Sequence, residues 1–224
     1  MHDIVDNPEH WWRCTPTGAD PCERPAGTAH SIFTTLQPHA VSAGQWVLHT
    51  QRLGAPPSWL GSWKEALAML QPWTQPRHVA RIVVDNPADQ IWLSLREVEP
   101  YAGPIRLQVV PGHWPAYQRK WWQRQSYDRA RPVVHAGHRM ERLLIDAHTQ
   151  QVWESDTANI VAQIGGQLIS PDPCLGPLLY GTELQRLVTD GRVRLAPLTL
   201  AQLQRAEEIW LCNALLGLQT AQLV

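Results

Sequence analysis

The stretch Arg142–Ile169 reads RLLIDAHTQQVWESDTANIVAQIGGQLI, and it decides the fold of the second half of the chain. Runs with strand composition recur in it at residues 142–146, 151–153, 159–164 and 167–169. Turn signals separate the runs, first at residues 147–150 and then at Gly165-Gly166, a pair that suits a tight hairpin. Because the chain reverses direction at each turn, the pattern predicts a β-meander.

Two helix signals and then two strand signals follow this meander. Residues 182–189 and 199–206 predict two helices with Thr182 and Thr199 as N-caps, because a threonine hydroxyl accepts a hydrogen bond from the first turn. Residues 209–212 and 218–224 have strand composition. The second half is therefore predicted to be rich in strands, with two short helices.

The first half predicts a smaller α+β domain. Residues 1–30 are rich in Pro, Gly and Thr and have no sustained period, which predicts mostly irregular structure with one edge strand. Strand composition follows at residues 31–36, helical periodicity at 44–53 and 58–70, and β-rich runs that predict an antiparallel meander at 78–85, 90–98 and 105–110.

A punctuated segment, Pro111-Gly112-His113-Trp114-Pro115, divides the chain. The helix-compatible residues 117–131, which include Lys120, come directly after it. We therefore predict an N-terminal α+β domain at residues 1–113 and a C-terminal domain at residues 114–224.

Composition excludes several classes of protein. The 224 residues are 44% hydrophobic and 17% charged with a formal net charge of -1, which is ordinary for a globular protein and gives little electrostatic support for nucleic-acid binding. The four cysteines have no CxxC spacing, so neither a zinc site nor a disulfide framework is predicted. Neither a signal peptide nor an apolar run long enough to span a membrane is recognised, and a cytoplasmic location is expected.

Lysine is rare in this chain, and one of the two lysines has unusual neighbours. Lys120 is followed by Trp121-Trp122 and flanked by arginines, and both burial among aromatic rings and nearby positive charge favour a lowered pKa. A neutral lysine amine can hold an aldehyde cofactor as a Schiff base. Lys64 lies on the polar face of a predicted helix and is expected to be solvated.

Three further features suit a phosphorylated aromatic aldehyde. Glu154 ends a predicted strand, and a carboxylate there can keep a pyridine nitrogen protonated. Gly181-Thr182 opens a predicted helix, whose N–H groups and dipole favour a phosphate. Asn213-Ala214 follows a predicted strand, and the amides of that turn can complete a phosphate cradle.

The order of these strings along the chain resembles the fold-type IV pyridoxal-phosphate enzymes, the class IV aminotransferase-like family. Within it the chain is most similar to the 4-amino-4-deoxychorismate lyases. The strings that carry the resemblance are Phe33-Thr34-Thr35-Leu36, His49-Thr50-Gln51-Arg52-Leu53, Lys120 with Arg124 and Tyr127-Asp128, Leu143–Asp146, Glu154–Ile160, Pro173–Thr182, Asp190–Val193 and Cys212-Asn213-Ala214-Leu215. The resemblance implies a two-domain α+β fold, with a small N-terminal α/β sandwich and a C-terminal pseudo-barrel.

The resemblance also implies roles for individual residues. Lys120 is the catalytic lysine that binds pyridoxal 5'-phosphate, and Glu154 is the partner of the pyridine nitrogen. The other implied cofactor-binding residues are Arg52, Thr157, Asn159, Gly181, Thr182, Asn213 and Ala214, and the candidates for binding substrate are Thr34, Thr35, Arg81 and Arg106. His49 is expected to be structural, and no metal is implied.

The implied activity is elimination of pyruvate from 4-amino-4-deoxychorismate, a dicarboxylate, to give 4-aminobenzoate for folate synthesis. A class IV aminotransferase of the branched-chain or D-amino acid type and a non-catalytic homologue remain alternatives. Leu184 replaces an arginine that many members of the family have after the phosphate-binding threonine, with Arg186 two residues further on. A homodimer is implied, and docking of an aminodeoxychorismate synthase subunit is left open.

Overall fold

Two compact units make up the chain. The computed structural model describes residues 10–15, 18–25, 31–36, 42–54, 78–85, 90–97, 103–115, 120, 133–135 and 138–224. Of these, the residues up to 97 together with Lys120 belong to the first unit, and the others belong to the second.

The first unit is built on a five-stranded antiparallel sheet with the order β2-β1-β5-β4-β3. Its strands are β1 (His10–Thr15), β2 (Gly18–Cys22), β3 (Ser31–Leu36), β4 (His78–Asp85) and β5 (Gln90–Glu97). Helix α1 (Ala43–Leu53) begins at a capping box formed by Ser42 and Gln45 and ends at Gly54, which is left-handed at φ 59°. Both caps satisfy helix-end groups that would otherwise lack partners.

Side chains alternate between the two faces of this sheet, as strand geometry requires. Ile32 and Leu36 of β3 pack with Trp46 and Leu53 of α1 in one apolar core. Phe33 lies on the opposite face, where it packs with Trp11 and Val83. Helix α1 therefore covers one face, and the face that carries Phe33 is separate from that core.

The second unit contains a closed barrel. Its strands are β6 (Ile105–Gly112), β7 (Val133–His135), β8 (His138–Asp146), β9 (Val152–Ser155), β10 (Asn159–Ile164), β11 (Gln167–Ser170), β12 (Arg194–Leu195), β13 (Glu208–Asn213) and β14 (Gly217–Leu223). Pairing runs from β10 through β13, β14, β6, β8 and β9 and returns to β10, so six strands close on themselves. Closure leaves those six strands without a free edge.

Apolar side chains fill the barrel, and two helices pack around it. The interior includes Leu107, Leu143 and Ile160, all fully buried. Helix α2 (Thr182–Thr189) packs Leu184 and Leu187 against the outer face of β10 and β13. Helix α3 (Leu200–Leu203) begins at Thr199, whose side chain and Gln202 form a capping box, and Leu203 enters the interior core.

The two ends of the barrel are formed by different elements. At one end β8 begins, β9 turns into β10, and β13 turns into β14. At the other end Leu200 N donates to Gln150 O and Val152 N donates to Leu198 O, which places α3 there. The first end is called the turn end below, and the second is called the α3 end.

Most predicted elements are confirmed. Strands β3, β4 and β10 and helix α2 have the predicted bounds, and the predicted Gly165-Gly166 turn has both glycines at positive φ, 58° and 75°. The predicted helices at 58–70 and 117–131, and Lys64, lie outside the described residues, except for Lys120. The predicted α+β class with a C-terminal barrel is confirmed.

Four local predictions were wrong. Residues 10–22 form the two strands β1 and β2 instead of one edge strand. The helix predicted over 199–206 ends at Leu203, although its predicted cap is present. The N-cap of α2 is Gly181, and Thr182 is the first helical residue. Strand β6 does not continue the first sheet, because it pairs in parallel with β8 and β14 in the second unit.

The division into units also differs from the predicted one. Residues 103–113, which we assigned to the N-terminal domain, group with the second unit, and Lys120 groups with the first.

Among the described residues, no helix has both the length and the apolar character needed to cross a membrane.

Candidate functional site

Lys120 lies against the edge strand of the first sheet. Its carbonyl oxygen accepts a hydrogen bond from Phe33 N at 2.9 Å, and its Nζ lies over the Phe33 ring, 4.7 Å from the centroid. An ammonium over an aromatic face is stabilised by the ring quadrupole. Strand β3 therefore fixes both the backbone and the amine of this residue.

Arg81 shares that face of the sheet. Its Cζ lies 5.6 Å from the centroid of the same Phe33 ring, and its partner in the β3–β4 register is Thr35. Thr34 points the other way, because its Oγ1 lies 2.6 Å from Nδ1 of His49 in helix α1. Of the two threonines predicted to bind substrate, Thr35 is on the face of Lys120, and Thr34 is part of the packing beneath α1.

His49 is buried and uncharged in this setting. Burial lowers its pKa to about 3, and the positive charges of Arg52 and Lys120 act in the same direction. Arg52 lies in the last turn of α1 and is half-buried. The first unit thus places the positive charges of Arg52 and Lys120 near a neutral histidine, while Arg81 lies with Phe33 on the other face of the sheet.

In the second unit, Glu154 and Asn159 are direct cross-strand partners at the turn end. The pairing of β8 with β9 shifts register between Leu143 and Ile145, so three steps along β9 match two along β8. Such a bulge changes the face to which a side chain points. As a result Val152 and Ser155 both face the interior, and Glu154 can pair with the outward-facing Asn159.

These two side chains hold the segment that leads into α2. Glu154 Oε2 accepts from Leu179 N at 3.1 Å, and Asn159 Nδ2 donates to Leu179 O at 2.7 Å. Asn159 Oδ1 also accepts from Gly181 N at 3.0 Å. A β-carbon at Gly181 would lie 2.3 Å from that oxygen, so only glycine permits this close approach.

Thr182 carries the most informative atom of the site. The residue is 1% exposed, and among the described residues its Oγ1 has no hydrogen-bond partner. The hydroxyl stands at the start of α2, where the N–H groups of a first turn also lack intrahelical partners. A buried polar atom of this kind needs an explanation, and an anion bound at the helix N-terminus supplies one.

Two turns meet beside this helix start. Asn213 Oδ1 accepts from the N–H groups of Leu215 and Leu216, both at 2.9 Å, which shapes the turn that contains Ala214. Asn213 Nδ2 reaches Thr157 O at 3.5 Å. The second unit therefore gathers the predicted residues Glu154, Thr157, Asn159, Gly181, Thr182, Asn213 and Ala214 at the turn end of the barrel.

Three further positions singled out from the sequence are Leu184, Arg186 and Arg106. Leu184 is fully buried against the barrel, and the Arg186 guanidinium binds Glu183 and Asp190, which raises its pKa. Arg106 lies on β6 of the second unit, on the opposite side of the strand from the interior residues Ile105 and Leu107. We assigned Arg106 to the first domain, and that placement was wrong.

Sequence reasoning missed two charged residues under the site, the buried Glu141 and the half-buried Arg139. Glu141 and Arg139 of β8 form an ion pair, and both contact the Thr157 hydroxyl. The sequence contained a signal for Glu141. Glu141, Leu143 and Ile145 are two residues apart along the strand and therefore share one face, so Glu141 faces the interior of any barrel whose interior holds Leu143 and Ile145.

The residues at the turn end fit a phosphorylated pyridine aldehyde. Thr182 and the start of α2 suit the phosphate, and the buried Glu154 suits a ring nitrogen. A family model described as "Amino-transferase class IV" matches residues 75–224. The chain belongs to the class IV aminotransferase family.

Solved structures related to this class IV chain have the same fold. The 4-amino-4-deoxychorismate lyase from Pseudomonas aeruginosa is 22% identical with a TM-score of 0.66, and the match covers 95% of this chain and 90% of that one. A fold IV transaminase from Curtobacterium pusillum is 13% identical with a TM-score of 0.70 over 96% and 92%. A hypothetical aminotransferase from Mycobacterium tuberculosis, in a PLP-bound form, is 15% identical with a TM-score of 0.71 over 95% and 90%.

These likenesses confirm the fold-type IV architecture of two α+β units. No curated protein matches the chain. At such identities the solved structures establish the fold of this class IV member, and its substrate has to be argued from its own residues.

Proposed function

We propose that this chain is a pyridoxal-phosphate-dependent 4-amino-4-deoxychorismate lyase, which releases pyruvate and leaves 4-aminobenzoate. Membership of the class IV family supports the cofactor, and the strings that resemble the lyases support the reaction. The observation that carries the cofactor assignment is the buried hydroxyl of Thr182 at the start of α2, in the same unit as the paired Glu154 and Asn159.

Each part of the cofactor has a candidate partner. The α2 start at Gly181-Thr182, the turn at Asn213-Ala214 and the Arg52 guanidinium would bind the phosphate, since oriented N–H groups and a planar two-point donor both suit its oxygens. Glu154 would bind the pyridine nitrogen, and Lys120 would hold the aldehyde carbon. When bound, the cofactor supplies an electron sink for charge that develops beside the substrate amine.

The Glu154 carboxylate is prepared for its task by the fold. It is 4% exposed, and the Leu179 N–H fixes one of its oxygens. A buried carboxylate gains most from a positively charged partner, which it would find in a protonated ring nitrogen. Fixing one oxygen through the backbone leaves the carboxylate oriented before the partner binds.

Lys120 would carry the proton transfers. Once the substrate amine has taken its place at the aldehyde carbon, the freed Lys120 amine would take the proton from the amine-bearing carbon of the substrate. Loss of that proton and cleavage of the bond from the ring carbon to the enolpyruvyl oxygen make the carbocycle aromatic. The departing enolpyruvate would take that proton from Lys120 on its methylene carbon and so become pyruvate, and the neutral lysine amine could then displace 4-aminobenzoate from the aldehyde carbon.

The substrate has two carboxylates, and Arg81 is the described residue best placed to bind one of them. It lies over the same ring as Lys120 and next to Thr35, so a planar donor and a hydroxyl face the same space. A guanidinium binds a carboxylate through two parallel hydrogen bonds, which a lysine does not offer.

A transaminase is the second candidate, because the matching family is named for that reaction. It would use Lys120, Glu154 and Thr182 in the same way, and it would differ in needing an amino-acid donor and a keto-acid acceptor. Incubating the loaded protein with alanine, glutamate or a D-amino acid separates the two. Conversion of the cofactor to its amine form, reversed by a keto acid, supports the transaminase and removes the lyase.

The decisive experiment uses the two lysines. Borohydride reduction of the protein incubated with pyridoxal phosphate, followed by peptide mapping, should label Lys120 in wild type and in Lys64→Arg but not in Lys120→Arg. The same preparations are then assayed for 4-aminobenzoate and pyruvate. Label on Lys64, or no label, contradicts the cofactor assignment, and label on Lys120 without either product or transamination leaves a non-catalytic homologue.

A further inference from the structure

The most deeply buried charge among the described residues of the barrel belongs to Glu141, which the proposed chemistry does not use. Its side chain is 0% exposed, and it shares the interior face of β8 with Leu143 and Ile145. An ionised carboxylate in such a place is costly unless it is paired and fully hydrogen-bonded. An apolar side chain would fill the space without that penalty. The role of the carboxylate is therefore to be sought in the groups that it binds.

Glu141 holds one short turn. Its Oε2 accepts from Ser155 Oγ at 2.6 Å and from Thr157 N at 3.3 Å, and its Oε1 accepts from Thr157 Oγ1 at 2.7 Å. Arg139 completes the arrangement, since its guanidinium pairs with Glu141 and donates to Thr157 Oγ1 at 2.8 Å. The carboxylate thus receives three donors from residues 155–157 and one charge from its own strand.

Ser155 connects the Glu141 carboxylate to the rest of the turn at residues 155–158. Its backbone N donates to Ala158 O at 2.9 Å, and its Oγ accepts from Ala158 N at 3.1 Å. The residues that flank the turn are Glu154 and Asn159, which are cross-strand partners. A change in the turn would therefore alter the pairing of the two side chains that fix the entry to α2.

Thr157, which Glu141 holds, also contacts the residue that shapes the turn containing Ala214. Thr157 O lies 3.5 Å from Asn213 Nδ2, and Asn213 Oδ1 shapes the turn that contains Ala214. Thr157 has its hydroxyl, its N–H and its carbonyl in contact with protein groups. Thr157 therefore acts on the site by connecting Glu141 to Asn213 through these hydrogen bonds.

We propose that Glu141 is a positioning residue, which fixes the turn at residues 155–158 from inside the barrel and thereby sets the geometry of Glu154, Asn159 and the phosphate-binding turns. The inference rests on the proposed function in so far as the fixed geometry serves pyridoxal phosphate. The holding of the turn itself depends only on contacts within the second unit.

The test compares Glu141→Gln with Leu203→Ala. The glutamine keeps the size of the side chain but removes the charge and replaces one acceptor with a donor. Leu203 is buried at the α3 end, and its truncation leaves a cavity that lowers stability without touching the turn end. Any effect found in Glu141→Gln but absent from Leu203→Ala is then specific to the turn.

Two readouts are needed, both on the chain of 224 residues. In the cofactor-free protein, hydrogen exchange at the amides of residues 157 and 158 should be roughly tenfold or more faster in Glu141→Gln and unchanged in Leu203→Ala. The dissociation constant for pyridoxal phosphate should rise by roughly ten- to a hundredfold in Glu141→Gln alone.

The outcomes separate the two proposals. Wild-type exchange at both amides in Glu141→Gln, or faster exchange with wild-type cofactor affinity, overturns the positioning role. If wild-type protein fails to bind pyridoxal phosphate, the proposed function fails, and hydrogen exchange alone still decides whether Glu141 holds the turn.

Discussion

Replacing Thr182 by valine should change stability and binding in opposite directions. Valine has the shape and the β-branching of threonine, so the substitution removes the hydroxyl and leaves the packing almost unchanged. That hydroxyl is buried and has no partner among the described residues. A buried unsatisfied polar group costs about 1–3 kcal/mol, and the cofactor-free protein should gain stability of that order.

The gain should be visible in thermal unfolding. For a chain of this size each kcal/mol corresponds to a rise in Tm of roughly 2–4 °C, so cofactor-free Thr182→Val should melt several degrees above wild type. Binding should weaken, because a hydrogen bond to a charged group contributes about 1.5–3 kcal/mol. The dissociation constant for pyridoxal phosphate should therefore rise by roughly one to two powers of ten.

Thr182→Ser is the matched control, since it keeps the hydroxyl and removes the methyl group. It should be slightly less stable than wild type and should retain cofactor affinity. The assays are calorimetric melting of cofactor-free protein and titration with pyridoxal phosphate followed by absorbance. If Thr182→Val melts below wild type, or binds the cofactor as tightly as wild type does, then the hydroxyl does not bind the cofactor phosphate.

Two other predictions concern one residue in each unit. Because His49 has a pKa of about 3 in the folded chain against 6.5 ordinarily, the unfolded chain takes up a proton that the folded chain excludes. Its contribution to stability is thus complete above about pH 6.5 and is lost at about 1.4 kcal/mol per pH unit as the pH falls toward 3. Denaturant melts across that range should show a shallower pH slope for His49→Gln, and equal slopes would contradict the burial of an uncharged ring. Gly181→Ala should weaken cofactor binding, since its β-carbon would displace Asn159 from two hydrogen bonds. Titration of this variant beside Gly44→Ala, where a β-carbon meets nothing within 4 Å, checks this, and equal affinities would refute it.

The elements that the sequence predicted best are those with a local cause. Strand β10 has turn residues at both ends, and α2 has a helical apolar period that buries Leu184 and Leu187. Their bounds follow from side-chain alternation and helix periodicity within the segment itself. The same reasoning placed Gly181-Thr182 at a helix start, and it erred by one residue on the cap.

The errors have non-local causes. Strand β6 has the composition of a strand, but composition does not say which sheet it will join, and its parallel pairing with β8 is made across a gap of more than twenty residues. Strand β2 contains Pro21, which favoured a prediction of irregular structure and is tolerated because β2 is the edge of its sheet. The site residues were found through motifs, whereas Glu141 belongs to no motif, and only its alternation with the apolar residues of β8 indicated that it faces the interior.

Because the two barrel ends differ in their buried polar groups, we expect stability and cofactor binding to compete at the turn end. At the α3 end, Leu198 and Leu203 close the interior with apolar side chains, and backbone groups bind one another. At the turn end the same interior holds Glu141 and the hydroxyl of Ser155, and Thr182 adds a buried hydroxyl outside. Polar groups at this end reduce the net gain from burial, and they are compensated only by one another or by an anion. Substitutions that improve packing should therefore be neutral for binding at the α3 end. At the turn end, replacing a buried polar group that has no partner, such as the Thr182 hydroxyl, should raise the melting temperature of the cofactor-free chain and lower its affinity for the cofactor, whereas replacing one member of the satisfied Glu141 network should lower both.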